Sequence, residues 1–287
     1  MSERPPPTLV FAHANGFPAG TYRRLFERWR AAGWRVEALP VIGHDPRYPV
    51  TSNWPHLRDQ LVDFIQARAP GGAWLVGHSL GGLLGLLAAS KRPDLARGLV
   101  MLDSPVFTGW RAHSVQVLKA SGLIARVSPG KVSRTRRHEW PSREAALAHF
   151  AAKSKFASWA PGLLDDFIDC GTEPRAGAVQ LVFDRAVETR IYDTLPHHLG
   201  RVLRRHALRC PAGFVAGTRS VELRQGGLGP AHALVGDRLR WITGSHLFPM
   251  ERPDETANTV LELLQGMHPE TGGGGAPARP DARTPPL

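Results

Sequence analysis

The chain has 287 residues, 42% of them apolar and 21% charged, a length at which folding buries roughly three quarters of the surface an unfolded chain exposes, enough for one large domain carrying an inserted lobe. No stretch reaches the ~18–20 uncharged apolar residues of a membrane span, and the start MSERPPPTLV lacks the basic-then-apolar pattern of a signal peptide, so a soluble cytoplasmic protein is expected. The formal charge of +11 raises nucleic-acid binding, but residues 104–210 hold 17 Lys+Arg against 9 Asp+Glu, mostly interspersed on helical patterns, which reads as a solvated face rather than a phosphate-tracking groove.

Residues 1–7 and 268–287 are rich in Pro and Gly and poor in apolar side chains, which predicts two disordered tails. Between them, six short apolar runs read as strands buried on both faces: TLVFAHA (8–14), WRVEALPVI (34–42), AWLVGHS (73–79), GLVMLDS (98–104), AGFVAGT (212–218) and RLRWITG (238–244). Helical spacing of apolar residues marks 21–31, 56–68, 80–91 and 254–265. The alternation predicts an α/β fold with a doubly wound, mostly parallel sheet. It is interrupted at 105–210, a mainly helical stretch with breaks at 128–130, 140–142, 160–161 and 195–198; this predicts an inserted lobe on a core of 8–104 and 211–267. Cys170 and Cys210 stand outside any C-x-x-C or metal-ligand spacing and predict reduced thiols without a functional role.

Chemistry concentrates at the ends of these runs. Gly77-His78-Ser79-Leu80-Gly81 joins an apolar strand to an apolar helix, a turn too tight for side chains on both flanks of the serine, and it raises the Ser79 hydroxyl above the sheet as a candidate nucleophile. His246, in GSHLFPMERP, follows the last strand at the same sheet edge, where open α/β sheets place their ligand crevices; it is the candidate base. His13, His44 and His78 read as hydrogen-bonders that fix loops.

Together, HANGFP, GHSLGG, LVMLDSP and GSHLFPMERP, in this order and over nearly the whole chain outside the lobe, resemble the α/β-hydrolase superfamily. The resemblance implies a serine hydrolase of the esterase or lipase kind, forming an acyl-enzyme without metal or organic cofactor, with a helical cap between the family's sixth and seventh strands. Relatives that carry an aspartate at the nucleophile position, the dehalogenases and epoxide hydrolases, are disfavoured by Ser79. FAHANGFP resembles the family's H-G-F-P loop with an offset, so one oxyanion-hole N–H belongs to Asn15 in one register and to Phe17 in the other. The second donor is the Leu80 N–H.

In GFVAGTRSVELRQ (213–225) the position where the family usually carries its acid holds Ser220. Three readings stand: Asp103 at the end of GLVMLD supplies the carboxylate, Glu222 supplies it from two residues beyond the usual place, or no acid exists and the protein binds without cutting. A carboxylate at the edge of a buried strand is costly without a partner, which favours Ser79–Asp103–His246 with Glu222 in reserve. The expected substrate is a small acyl compound. The run Lys131–Arg137 suggests that it is anionic, and the aromatics Trp110, Trp140, Phe150, Phe156, Trp159, Phe167 and Tyr192 offer pocket walls or lobe core. The rival function is a degenerate hydrolase scaffold that binds an acidic partner or nucleic acid through the basic lobe.

Overall fold

The computed structural model describes residues 6–267; the predicted tails therefore lie outside the described residues, apart from Pro6 and Pro7. All six apolar runs form strands: β1 (Thr8–Ala12), β2 (Arg35–Ala38), β3 (Ala73–His78), β4 (Ala96–Leu102) and, after the lobe, two more. The lobe contributes β5 (Glu139–Trp140), β6 (Thr172–Arg175) and β7 (Ala178–Leu181), and the chain then returns to the core with β8 (Ala212–Gly217) and β9 (Leu239–Ile242). The core sheet has the order β2-β1-β3-β4-β8-β9, and every adjacent pair is parallel. Strand order reverses direction between β1 and β3, so the crevice beyond their carboxyl ends is the switch point of the sheet.

Near-continuous apolar runs follow from two-sided burial. Val10, Leu75, Leu99, Met101 and Phe214 pack on one face with the helices Pro55–Arg68 and Leu80–Lys91; Leu9, Phe11, Val76, Val100 and Val215 pack on the other with Arg23–Ala31 and Pro253–Met267. In the helix Leu80–Lys91 every residue from Leu80 to Ser90 is buried, which explains its lack of a polar face. Each leucine so buried is worth about 1.5–3 kcal/mol against exposure.

Between β4 and β8 the insert is mainly helical; three of the four predicted breaks fall between helices, and 128–130 runs into the first residue of the helix Gly130–Thr135. It also holds a three-stranded antiparallel sheet, order β5-β7-β6, that the helical reading did not anticipate. Its β6–β7 hairpin turns on Ala176 (φ 49°) and Gly177 (φ 80°), and positive φ at both central residues is the turn that matches strand twist. Strands of two to four residues are too short to print a period of two on the sequence. Of the aromatics considered as pocket walls, Trp140, Phe150, Phe156, Trp159 and Phe167 are buried core of this lobe, and Trp110 is exposed.

Candidate active site

Five strand ends, those of β1, β3, β4, β8 and β9, converge on one edge of the sheet. Ser79 follows β3 with φ 53° and ψ −112°, a conformation that costs a non-glycine residue about 1–3 kcal/mol. The flanking glycines explain how the chain tolerates it. A Cβ on Gly77 would run into the Gly81 backbone, one on Gly81 into the Ala12 carbonyl, and one on Gly82 into Ser104. Ser79 is partly exposed while its neighbours on both sides are buried.

Asp103 follows β4, also with positive φ (45°), and is fully buried. It accepts three hydrogen bonds: from the Gly217 N–H at Oδ1 (2.8 Å), and at Oδ2 from the Ser220 hydroxyl (2.5 Å) and from His246 Nδ1 (2.6 Å). The vacancy noted at Ser220 is thus occupied in another sense. The side chain caps the helix Val221–Gly226, accepting from the Leu223 N–H, and donates its proton to the carboxylate one strand away. Glu222 is half-exposed, with its nearer oxygen 4.0 Å from His246 Nδ1. Burial alone would pull the His246 imidazole down. Its hydrogen bond to Asp103 and the charges of Asp103 and Glu222 outweigh that and hold it above the ordinary histidine value. With Nδ1–H committed to Asp103, Nε2 is left as the basic nitrogen.

The loop after β1 treats the N–H groups of the two registers differently. The Phe17 N–H is used within the turn, donating to the Ala14 carbonyl (3.1 Å), and the Phe17 ring packs against Trp159 and Phe167 of the lobe. Asn15 instead lines the crevice beside Leu80, whose N–H opens a helix and has no intrahelical partner. Asn15 Nδ2 donates to the Glu188 carbonyl (3.0 Å), which ties the loop to the insert.

The predicted loop-fixing histidines do that work. His13 accepts the Ile42 N–H at Nε2 (2.8 Å) and donates from Nδ1 to the Ala14 carbonyl (2.8 Å); burial lowers its pKa to about 4. His44 links the carbonyl of Ile42 to the N–H of Asp184 in the insert. His78 bridges the Tyr22 hydroxyl (2.7 Å) and the carbonyl of His246 (2.9 Å), and burial pushes it well below the usual range. Two supports escaped the sequence reading. Tyr22 completes the His78 link by accepting the Ala14 N–H, and buried Glu251 accepts from the Ser245 backbone N–H (3.1 Å) and hydroxyl, holding the loop that carries His246. The legible signal was a carboxylate in apolar surroundings six residues after Ser245.

Ser79, Leu80, Asn15, Glu222 and His246 all line one cavity of about 130 Å³, with Asp103 behind His246. Apart from Gln225, its other walls are mainly apolar: Trp54, Leu83 and, from the insert, Phe107, Ile191, Tyr192 and Leu195. Of the lobe aromatics named from sequence, Tyr192 alone lies on this surface. Asp103, Glu222 and His246 form a group whose ligand atoms lie within 4.8 Å, close enough to hold a cation. Both Asp103 oxygens are already accepting hydrogen bonds, so the arrangement as built is a charge pair. Within the basic run, Arg134 pairs with Asp193 (2.7 Å) and Arg136 with buried Glu188 (2.5 Å).

The alpha/beta hydrolase family profile matches residues 9–259. The chain belongs to the alpha/beta hydrolase family. Family members similar to it include the "Probable esterase PIR7A" of Oryza sativa subsp. indica, 37% identical over 98 residues, 33% of this chain and 37% of that protein. The mouse (Mus musculus) "Monoglyceride lipase" is 30% identical over 132 residues, 43% of this chain and 44% of that protein. The matched region thus spans less than half the length of these curated relatives. Among solved structures, E-2-(acetamidomethylene)succinate hydrolase superposes with a TM-score of 0.71 at 21% identity, covering 90% of this chain and 91% of the other, which supports the fold. Among the described residues no helix is long and apolar enough to cross a membrane.

Proposed function

We propose that the protein is a serine hydrolase cleaving a carboxylic ester or related acyl bond through an acyl-enzyme. Ser79 attacks the acyl carbon and His246 takes its proton at Nε2. Asp103 holds the imidazole in the Nδ1–H tautomer and stabilises the imidazolium. The N–H groups of Asn15 and Leu80 receive the oxyanion of the tetrahedral intermediate. His246 then returns the proton to the leaving group, and a water, activated by the same imidazole, releases the acid and restores Ser79. The observation that carries this reading is the 2.6 Å hydrogen bond between His246 and a fully buried Asp103 behind a cavity that Ser79 also lines. The names of the similar proteins, an esterase and a lipase, agree with it.

Residues 105–210 act in this reading as a cap that supplies the acyl wall. The cavity, about 130 Å³, is close to the ~150 Å³ apolar void that admits a benzene ring, so acyl groups of about four to six carbons fit best. Ser79→Ala tests the reading. It should abolish hydrolysis of a butyrate ester, by about 10⁴-fold or more, with the fold intact by circular dichroism. Undiminished turnover in that variant excludes the mechanism.

A further inference from the structure

The cavity that holds Ser79 adjoins a second cavity of about 360 Å³. Three chain segments run along both cavities, each giving residues one or two positions apart to the two linings. Trp54 lines the first cavity and Asn53 the second; Phe107 and Thr108 divide in the same way, as do Leu195 and His197. The second cavity is of opposite character. His113, His198, Arg201 and Arg204 also line it, and no carboxylate does.

Its positive charge is uncompensated. Arg134, Arg136 and Arg143 in the same insert all meet carboxylates, whereas among the described residues Arg201 and Arg204 make neither an ion pair nor a side-chain hydrogen bond to an acid. They sit three residues apart on the helix Leu199–Arg205, and so on neighbouring positions of one face. Beside both cavities, Lys119 donates to Ser52 Oγ (2.6 Å), the Leu195 carbonyl (3.0 Å) and His197 Nδ1 (3.1 Å), and among the described residues it forms no ion pair with a carboxylate. Burial draws this ammonium down to about 8. Burial first, and then the Lys119 and Arg201 charges, lower His197 as well. His198 Nδ1 is buried without a hydrogen-bond partner. Finally, the helix Gly109–Ala120 opens onto this cavity with Thr108 at its N-cap and no side-chain cap bond, leaving its first N–H groups for an outside acceptor. Cations, an orphaned imidazole nitrogen and free helix N–H groups around a cavity without acids are complementary to an anion.

We infer that this second cavity is an anion-binding site that holds the carboxylate or phosphate end of the ester whose acyl bond lies at Ser79. The inference rests on the hydrolase reading of Ser79 for its substrate, but not for the anion site itself. It also relocates the anionic preference that the sequence suggested for Lys131–Arg137, where Arg134 and Arg136 are already paired.

Two measurements separate the site from the reaction. At constant ionic strength set with chloride, inorganic phosphate should raise the melting temperature of the full chain and shift the ring-proton resonances of His197 and His198. The Arg201→Gln/Arg204→Gln variant should lose both responses. In the second, three esters with the same scissile bond end in a neutral, a carboxylate or a phosphate group. The wild type should favour one anionic ester over the neutral one by about tenfold in kcat/KM, the worth of one charge-assisted hydrogen bond near the surface. In the double variant that ratio should fall to near one, and whichever anionic ester is preferred identifies the anion. Absence of any phosphate response in the wild type, or equal kcat/KM across the three esters, overturns the proposal. A phosphate response without turnover of any ester would support the anion site and sink the hydrolase reading instead.

Discussion

Replacing Asp103 by Asn tests where the acid of this site resides. The new amide has the shape of the carboxylate but one end becomes a donor. Turned toward Gly217 it would set N–H against N–H, and the backbone there cannot yield. The amide nitrogen therefore points to the side where Asp103 Oδ2 now accepts from Ser220 and His246, at 2.5 and 2.6 Å. A hydroxyl can rotate and an imidazole can change tautomer, so Nδ1 becomes an acceptor and the ring proton moves to Nε2, which can then no longer take the Ser79 proton. By analogy with other triads the loss in kcat is on the order of 10⁴, or about 5 kcal/mol of barrier. Glu222→Gln removes only a half-exposed charge 4.0 Å from Nδ1, worth at most ~1 kcal/mol, so tenfold or less. Ser220→Ala falls between: Asp103 loses one of three donors and the helix Val221–Gly226 its cap, so about 1–3 kcal/mol of stability goes with a ten- to hundredfold loss of rate. Steady-state hydrolysis of a butyrate ester, with the melting temperature of each variant as control, ranks the three. An Asp103→Asn variant within tenfold of wild type, or one less impaired than Glu222→Gln, would refute the assignment.

The pH dependence of kcat/KM should report His246. Its folded pKa is raised, so the base form appears only above the ordinary value; activity should be lost as pH falls through a midpoint above 6.5, and a native midpoint near 6 would contradict the balance described. His13 has the opposite sign, with burial lowering its folded pKa to about 4 from the ordinary 6.5. Its contribution is present above 6.5 and lost as pH falls toward 4, on the order of 3 kcal/mol. Denaturant melts should show that slope and His13→Gln should flatten it; an unchanged slope would assign acid sensitivity elsewhere. Across an acyl ester panel, kcat/KM should peak near four to six carbons because of the cavity size, and equal efficiency at twelve carbons would contradict a cavity that sets the acyl length.

The parts of this protein that sequence made legible are those where one residue type has one physical reason. Apolar runs announced strands buried on both faces, and the glycines around Ser79 announced a turn that the backbone clashes now explain. Asp103 could be singled out because a carboxylate at the end of β4 needs partners, and it has three. The partners themselves were not legible. Ser220 and Asp103 lie 117 residues apart and meet only because β8 pairs with β4, and Tyr22 reaches His78 across 56 residues. The offset loop at 13–18 allows two donors on sequence, and the turn bond from Phe17 to Ala14, which occupies one of the two N–H groups, has no sequence signature. The role of the basic run was not legible because charge counted along a chain does not reveal pairing in space, as Arg136 on Glu188 illustrates.

The most direct test of the central claim is covalent capture of Ser79. A fluorophosphonate probe incubated with the full chain, followed by proteolysis and mass spectrometry, should place one phosphonyl adduct on the peptide carrying GHSLGG. Labelling should be absent in Ser79→Ala and slowed by orders of magnitude in Asp103→Asn. A wild-type protein that stays unlabelled at neutral pH, or labelling that persists at the same peptide without Ser79, would contradict the account.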